Sequence, residues 1–347
     1  MSATTRVALD AMGGDKAPGE VILGAVRAAR EYGIGVYLVG NEEVIRAELA
    51  RHDTAGLDLP IIHTDEVIEM DEHPAKAVRR KKNASMLLAL QQVRDGNALG
   101  AVSAGNSGAM LAASLFTLKR LPGVERPALG GVFPTRSGAC LIIDMGANTD
   151  CKADYLLQFA LMGSAYMERI FQIKSPRVGL LANGEEASKG NQLVVETHQL
   201  LEANASTLGL NFIGNIEGRD IPANGADVVV CDGFVGNIAL KLSEGLGETL
   251  LGMLRDQMTS TLVSKLAAAV LKPGLRKIFK KLDYAEYGGV PLLGVNGSAI
   301  VAHGRSNAKA IKNAIRVAKQ TAETGVATAI AEGLAKLDTP EKSDQTV

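Results

Sequence analysis

The chain of 347 residues contains no tryptophan, and aromatic residues make up only 4% of it. It has three cysteines, Cys140, Cys151 and Cys231, with no C-x-x-C pair among them. An odd, sparse set of thiols excludes a disulfide scaffold and fits a reducing cytoplasm. The five histidines show no H-x-x-x-H spacing and no Cys/His cluster, so no zinc site and no other metal site is expected. Formal net charge is −1, which removes any global nucleic-acid signature and leaves basic surface to local patches. No uninterrupted apolar run approaches the roughly 20 residues that span a bilayer. The start, Met1–Arg6, runs into strand-like Val7–Leu9 with no secretory n-region and apolar core. What remains, 46% apolar and 22% charged residues, is the composition of a globular α/β chain with ample core. We expect one domain over 1–337 and a polar, frayed tail over 338–347.

The sequence is organised by small-residue turns, each after a strand-like run and before a helix-like one. Helix N-termini present unpaired N–H groups and a partial positive charge, so such turns suit anions. Two of them dominate: Asn183-Gly184-Glu185-Glu186-Ala187-Ser188-Lys189-Gly190-Asn191 after Val178–Ala182, and Asp232-Gly233-Phe234-Val235-Gly236-Asn237 after Val228–Val230. Lys189 and Asn237 add side-chain donors, and both turns are expected to face one pocket that holds a small anion beside a carbonyl. Asn183, Asp232 and Gly236 are candidate substrate contacts in the same turns.

The first turn, Asp10 to Pro18, carries adjacent glycines Gly13 and Gly14 and two acids, Asp10 and Asp15, which either order the turn or bind a substrate-linked cation. Arg79-Arg80-Lys81-Lys82 before Asn83-Ala84-Ser85 is either a solvated face or an anion site, with Lys82 the candidate. The turn from Ser103 to Gly108 offers Ser103, Asn106, Ser107 and its backbone N–H groups, but lacks the P-loop and dinucleotide patterns, which points to a phosphate cradle without nucleotide specificity. Asn148 lies in the turn 144–150. His303, at a strand end before Gly304, is the best-placed histidine. Pro127–Pro134 and Cys140–Asp144 read as a hairpin, an antiparallel element in a mostly parallel sheet. Ser306 is expected to cap a single helix, Ala308–Leu337.

From Gln257 to Leu282 there is no acid, while Lys265, Lys272, Arg276, Lys277, Lys280 and Lys281 supply six cations. Apolar residues recur at Leu262, Val263, Leu266 and Val270, then at Leu275, Ile278 and Phe279. The expectation is an amphipathic helical hairpin at about 255–283, turning at Lys272-Pro273-Gly274 with its tip at Ala267–Leu271. It serves dimerisation, contact with an anionic membrane, or both, through Leu266, Val270, Leu271, Leu275 and Phe279.

Taken together, the turns at 10–15, 79–86, 103–108, 183–191 and 232–237 resemble the bacterial phosphate acyltransferase family PlsX, in order, over about residues 6–333. The resemblance implies conversion of acyl-acyl carrier protein and inorganic phosphate into acyl phosphate and free carrier protein, without a cofactor. It also implies delivery of acyl phosphate to a glycerol-3-phosphate acyltransferase in phospholipid synthesis. The implied fold is a three-layer α/β/α arrangement, isocitrate/isopropylmalate dehydrogenase-like and shared with phosphotransacetylase. Its sheet is large, mixed and mostly parallel; here a helical hairpin protrudes, and the assembly is a homodimer. Lys189 resembles the family's active-site lysine. The implied location is the cytoplasm, peripherally on the inner face of the cell membrane. Independently, phosphate can be its own nucleophile and a thiol, with pKa near 8.5, is a good leaving group, so no Ser-His-Asp triad is required. Cys231 as an acyl-enzyme nucleophile is the less favoured reading. A metal-dependent hydroxyacid dehydrogenase on the same fold would need an aspartate cluster and an adenine-binding segment. A non-enzymatic lipid-surface scaffold would not need five glycine-rich turns.

Overall fold

A computed structural model describes residues 6–337; the side chains of Leu275, Lys277, Ile278, Phe279, Lys280, Lys281, Leu282 and Tyr284 fall outside what is described. The expected tail at 338–347 and the membrane residues Leu275 and Phe279 therefore lie outside it. In chain order the elements begin with β1 (Arg6–Asp10), α1 (Gly19–Tyr32), β2 (Gly35–Gly40), α2 (Glu42–Leu49) and β3 (Ile61–His63). Next come α3 (Pro74–Arg80), α4 (Ser85–Arg94), β4 (Gly100–Ser103), α5 (Ser107–Thr117), β5 (Ala128–Pro134) and β6 (Ala139–Ile143). They are followed by α6 (Ala153–Phe171), β7 (Arg177–Leu181), α7 (Gln192–Leu208), β8 (Asn211–Ile216), α8 (Asp220–Ala223) and β9 (Val228–Val230). The chain closes with α9 (Gly233–Thr259), α10 (Leu262–Leu282), β10 (Val290–Leu293), β11 (Ser298–Val301), α11 (Ala308–Glu323) and α12 (Val326–Leu334).

The strands form one 11-stranded sheet in the order β3-β2-β1-β4-β11-β10-β5-β6-β9-β7-β8. The first five are parallel; β10 is antiparallel to β11 and β5, β5 is antiparallel to β6, and the last four are parallel again. The expected β5–β6 hairpin pairs in register Gly130↔Ile143 to Pro134↔Ala139. Strand alternation decides which layer each residue joins. On β1, Val7 and Leu9 enter the core beneath α1 and α11, whereas Ala8 faces the core under α4 and α5. On β9, Val228 and Val230 meet α6 and α7, whereas Val229 joins the opposite face. Both faces of the sheet are thus covered by helices, the layered α/β arrangement expected.

The last part of the chain completes the first half of the sheet. β11 inserts beside β4, and α11 packs on α1, where Glu20 accepts from the Ala308 N–H at the start of α11 (2.6 Å) and the Tyr32 hydroxyl donates to Asn313 (2.8 Å).

Three expectations fail. Asn307, not Ser306, caps the helix from Ala308: its side-chain oxygen accepts from the Ala310 N–H (3.0 Å). The expected single helix from Ala308 is broken at Thr324 and Gly325, where Gly325 takes a positive φ of 69° and α12 restarts. The reversal between the long helices lies at Ser260-Thr261, not at Lys272-Pro273-Gly274: α10 runs straight through Pro273. Proline removes one N–H and crowds the preceding turn, at about 3 kcal/mol, and α10 continues through Pro273 all the same. Thr261 caps α10 by accepting from the Ser264 N–H (3.0 Å). Leu262 and Val263, the first residues after the turn, are 78% and 77% exposed.

Candidate active site

The strand-end turns fall into two groups. In the first half, β1, β4 and β11 lie side by side and end together. The Asp10 carboxylate is buried there, accepting the hydroxyl protons of Ser85 (2.6 Å) and Ser103 (2.7 Å) and the Met12 N–H (3.3 Å). Burial pushes its pKa up, opposed by those hydrogen bonds. The Asp15 N–H donates to the Gly304 carbonyl (2.9 Å), which ties the first turn to the turn after β11. Gly13 is required by close approach: a β-carbon there would lie 2.5 Å from the Asp10 carboxylate and 2.8 Å from the Gly105 nitrogen.

In the second half, β6, β9 and β7 are adjacent and parallel, so the turns 144–150, 232–237 and 183–191 leave the same edge. Asp144 is fully buried. One of its oxygens accepts the N–H groups of Leu129, Gly146 and Ala147 (3.0, 3.2 and 3.1 Å); the other accepts the Asn148 N–H (2.6 Å) and side-chain amide (2.9 Å). Burial pushes this carboxyl up as well, against all of these donors. Helix α9 sits directly on this turn: a β-carbon at Gly236 would be 1.9 Å from the Asp144 carbonyl oxygen. Asp232 caps α9 by accepting from the Phe234 and Val235 N–H groups (both 2.9 Å). Half-buried Asn237 lies against Gly146, its side chain within 4 Å of where a β-carbon would stand there.

The sequence candidates are thus sorted. Lys189 is exposed in its turn, whose Glu186 carbonyl accepts its N–H (2.9 Å), and Asn183 is exposed beside it. Asp15, Lys82, Ser107 and His303 are exposed, and His303 Nδ1 accepts from the Arg305 N–H (3.2 Å). Others are committed to the scaffold. Asn106 caps α5 through Ala109 N–H and gives both amide protons to Met70 and Glu72 carbonyls (3.0 Å each). Asn148 gives its amide protons to Pro127 and Asp144. Ser103 donates to Asp10 and accepts from Gly105, Asp232 and Gly236 serve the α9 start, and Gly13 and Gly14 serve the first turn. Sequence reasoning missed Asp144 and Ser85. A signal existed for the first: an aspartate directly after an apolar run and just before Met-Gly, as at Asp10.

Among the described residues, Glu185, Glu217 and Asp220 bring three carboxylates within a metal ion's reach, but Arg219 already lies 2.6 Å from Glu217 and 3.8 Å from Glu185. Cys231 is buried, its Sγ 3.7 Å from the Asp144 carbonyl; burial first, then Asp232 and Asp144, push the thiol well above the ordinary range. The Cys151 thiol is pushed up to about 12, chiefly by burial.

The model of a family described as fatty acid synthesis protein matches residues 5–329. A protein of Pelotomaculum thermopropionicum named phosphate acyltransferase is 52% identical over 318 residues, 92% of this chain and 92% of that one. Among solved structures, a phosphotransacetylase from Streptococcus pyogenes aligns at a TM-score of 0.62 and 18% identity, covering 98% of this chain and 96% of that one. A 4-hydroxythreonine-4-phosphate dehydrogenase from Klebsiella pneumoniae aligns at 0.53 and 14%, covering 93% and 99%. At such identities the likeness is one of fold, and the fold is the one expected.

Proposed function

The chain belongs to the fatty acid synthesis protein family, and from that premise we propose that it is a phosphate acyltransferase acting on acyl-acyl carrier protein. A phosphate oxygen attacks the thioester carbon, the C–S bond breaks, and the carrier's thiolate leaves and takes up a proton. Acyl phosphate then serves a glycerol-3-phosphate acyltransferase in phospholipid synthesis. The observation that supports this reading is the placement of Cys231: the cysteine at the β9 end is buried, its Sγ against the Asp144 carbonyl and under Gly236, where no thioester reaches it. Phosphate itself is then the nucleophile, and the protein's work is positioning and electrostatics. Lys189 neutralises phosphate or the tetrahedral oxyanion, and Asn237 donates without changing charge. Asp10 and Asp144 hold the turns and do not touch substrate.

The two groups of turns border one cleft in this reading. β1 and β6 are five steps apart in the sheet and end in opposite ladder directions. A twist of about 20–25° per step accumulates to about 100–125°. The ends of β1 and β6 are then only about 55–80° apart in direction, which turns both groups towards the same side.

The test is incubation with acyl-acyl carrier protein and phosphate, reading acyl phosphate and free thiol. Lys189→Ala should lose at least ~10²-fold in rate while staying folded, as with a lost oxyanion donor; a near-normal rate moves Lys189 out of the site.

Among the described residues no helix is long and apolar enough to cross a membrane. Membrane contact in this reading is peripheral, through the end of the α9–α10 pair. Leu262, Val263, Leu266, Val270 and Leu271 are all exposed there, beside Lys265, Lys272 and Arg276. A second copy covers the stripe Phe234, Ile238, Leu242, Leu246, Leu250 and Leu254, exposed at four-residue spacing along α9. Leu266→Glu with Val270→Glu should release the protein from anionic vesicles and leave dimers intact; dissociation with vesicle binding retained would reverse the two assignments.

A further inference from the structure

We propose that the outer face of α3 and α5 is the surface on which an acidic protein, the carrier of the acyl group, docks; this rests on the reaction proposed above. The two helices are fastened at their starts, where Gly108 lies so close to Pro74 that a β-carbon would be 2.7 Å from the proline ring. That contact stands at the 103–108 turn. α5 carries no charged residue, and Phe116 in its last turn is 56% exposed. The Arg79 guanidinium of α3 lies over this ring, 5.9 Å from its centre. Lys76, one turn earlier on α3, and Lys82 and Lys119 are exposed, and none has an ion-pair partner among the described residues. Arg80 and Lys81 both pair with the single carboxylate of Glu72, leaving cations in excess. Glu69 and Asp71, on the loop before α3, are exposed acids of this neighbourhood, as is Glu66, whose carboxylate accepts the Asn83 N–H (3.0 Å) beside Lys82; the cations still outnumber them.

An exposed aromatic under an arginine, rimmed by unpaired lysines, is the composition of a protein-binding centre with an electrostatically steering rim. The charge sign selects an acidic partner. Distance supports a carrier in particular. At 1.5 Å rise per residue, Phe116 stands about 14 Å along the helix from Ser107. A protein that delivers its cargo on a flexible arm must dock at such a remove from the chemistry, unlike one whose own surface reacts. A lipid surface is disfavoured, because one ring offers far less apolar area than the exposed row along α10.

The test compares two thioesters of the same acyl group, one on acyl carrier protein and one on coenzyme A, with the full-length protein. Phe116→Ala combined with Arg79→Glu should raise KM for the carrier-bound thioester about tenfold, as loss of one interface hot spot does, with kcat and the reaction of the coenzyme A thioester unchanged. Added salt should weaken the wild type on the carrier substrate more than the variant. Lys76→Glu with Lys119→Glu, which leaves Phe116 in place, should shift the same KM in the same direction. An unchanged carrier KM overturns the proposal. So does an equal loss on both thioesters, a change in oligomeric mass, or a loss of vesicle binding that tracks these variants. Failure of the wild type to use the carrier thioester at all would instead sink the reaction on which the docking surface rests.

Discussion

Each half of the sheet ends one strand on a buried aspartate, and the two are held differently. Asp10 is met by two side-chain hydroxyls and one backbone N–H; Asp144 is met by four backbone N–H groups and one side-chain amide. A hydroxyl can rotate and accept, whereas a backbone N–H only donates and is fixed by the fold. The first turn is therefore adaptable around its acid. The second is rigid, and α9 is built on top of it through Gly236. In the cleft proposed above, an adjustable half beside a fixed one suits a site that must admit a substrate and then hold it in register.

The largest expected effect tests the rigid half. Gly236→Ala places a carbon where the Asp144 carbonyl oxygen already stands, and neither backbone can yield without moving α9. A loss of about 3 kcal/mol or more in urea unfolding is expected. Gly13→Ala meets the Asp10 carboxylate at 2.5 Å and the Gly105 backbone nitrogen at 2.8 Å, milder overlaps than at Gly236, and should cost about 1–2 kcal/mol. Equal losses would remove the contrast. Next, Asp144→Asn turns one accepting oxygen into a donor facing donors and strands buried N–H groups, which should cost about 2–4 kcal/mol. Asp10→Asn should cost about 1 kcal/mol or less, since Ser85 and Ser103 can reverse. The reverse order in thermal or urea melts would show that the hydroxyls are not free to turn.

The smallest effect is a pH dependence. Burial raises both carboxyl pKa values in the native state, so the native protein holds these protons more tightly than the unfolded chain. Each group's contribution is most favourable below about pH 3.9 and is lost as pH rises through its raised native value. The stability of wild type relative to Asp10→Asn should therefore decline with rising pH above that point. A flat difference from about pH 4 to 8 would mean that the hydroxyl hydrogen bonds, not burial, set the ionisation of Asp10.

Much of this was legible from local pattern. Val7–Leu9 and Val228–Val230 read as strands because they are short apolar runs closed by small-residue turns, and both are strands. The β5–β6 hairpin was visible in two such runs around Arg136-Ser137-Gly138. Misreadings arose where distant groups decide. Asp144 looks like one polar residue among several in its turn until Leu129 arrives from β5 with its N–H. Ser85 gives no sign of a partner 75 residues away at Asp10. Pro273 carries a strong local stop signal, yet the helix continues through it. Asn106 and Asn148 have the residue type of a ligand contact, but neighbouring carbonyls and carboxylates claim both amide protons of each.

The placement of β11 and α11 has a consequence for synthesis. The strands β5 to β9 are contiguous in the chain and contiguous in the sheet, so all five strands of that block are present once about residue 230 has emerged, and Leu293 of β10 and Val326, Ile330 and Leu334 of α12 join its core later. The strands made first, β1 to β4, must wait longer. Val7, Leu9 and Val102 share their core with Ile300, Ile311 and Ile315, and the Tyr32–Asn313 bond closes a loop of 281 residues. On the ribosome the early apolar surface of β1 and α1 stays open until almost the whole protein is made, which makes it the stretch a chaperone has most reason to hold.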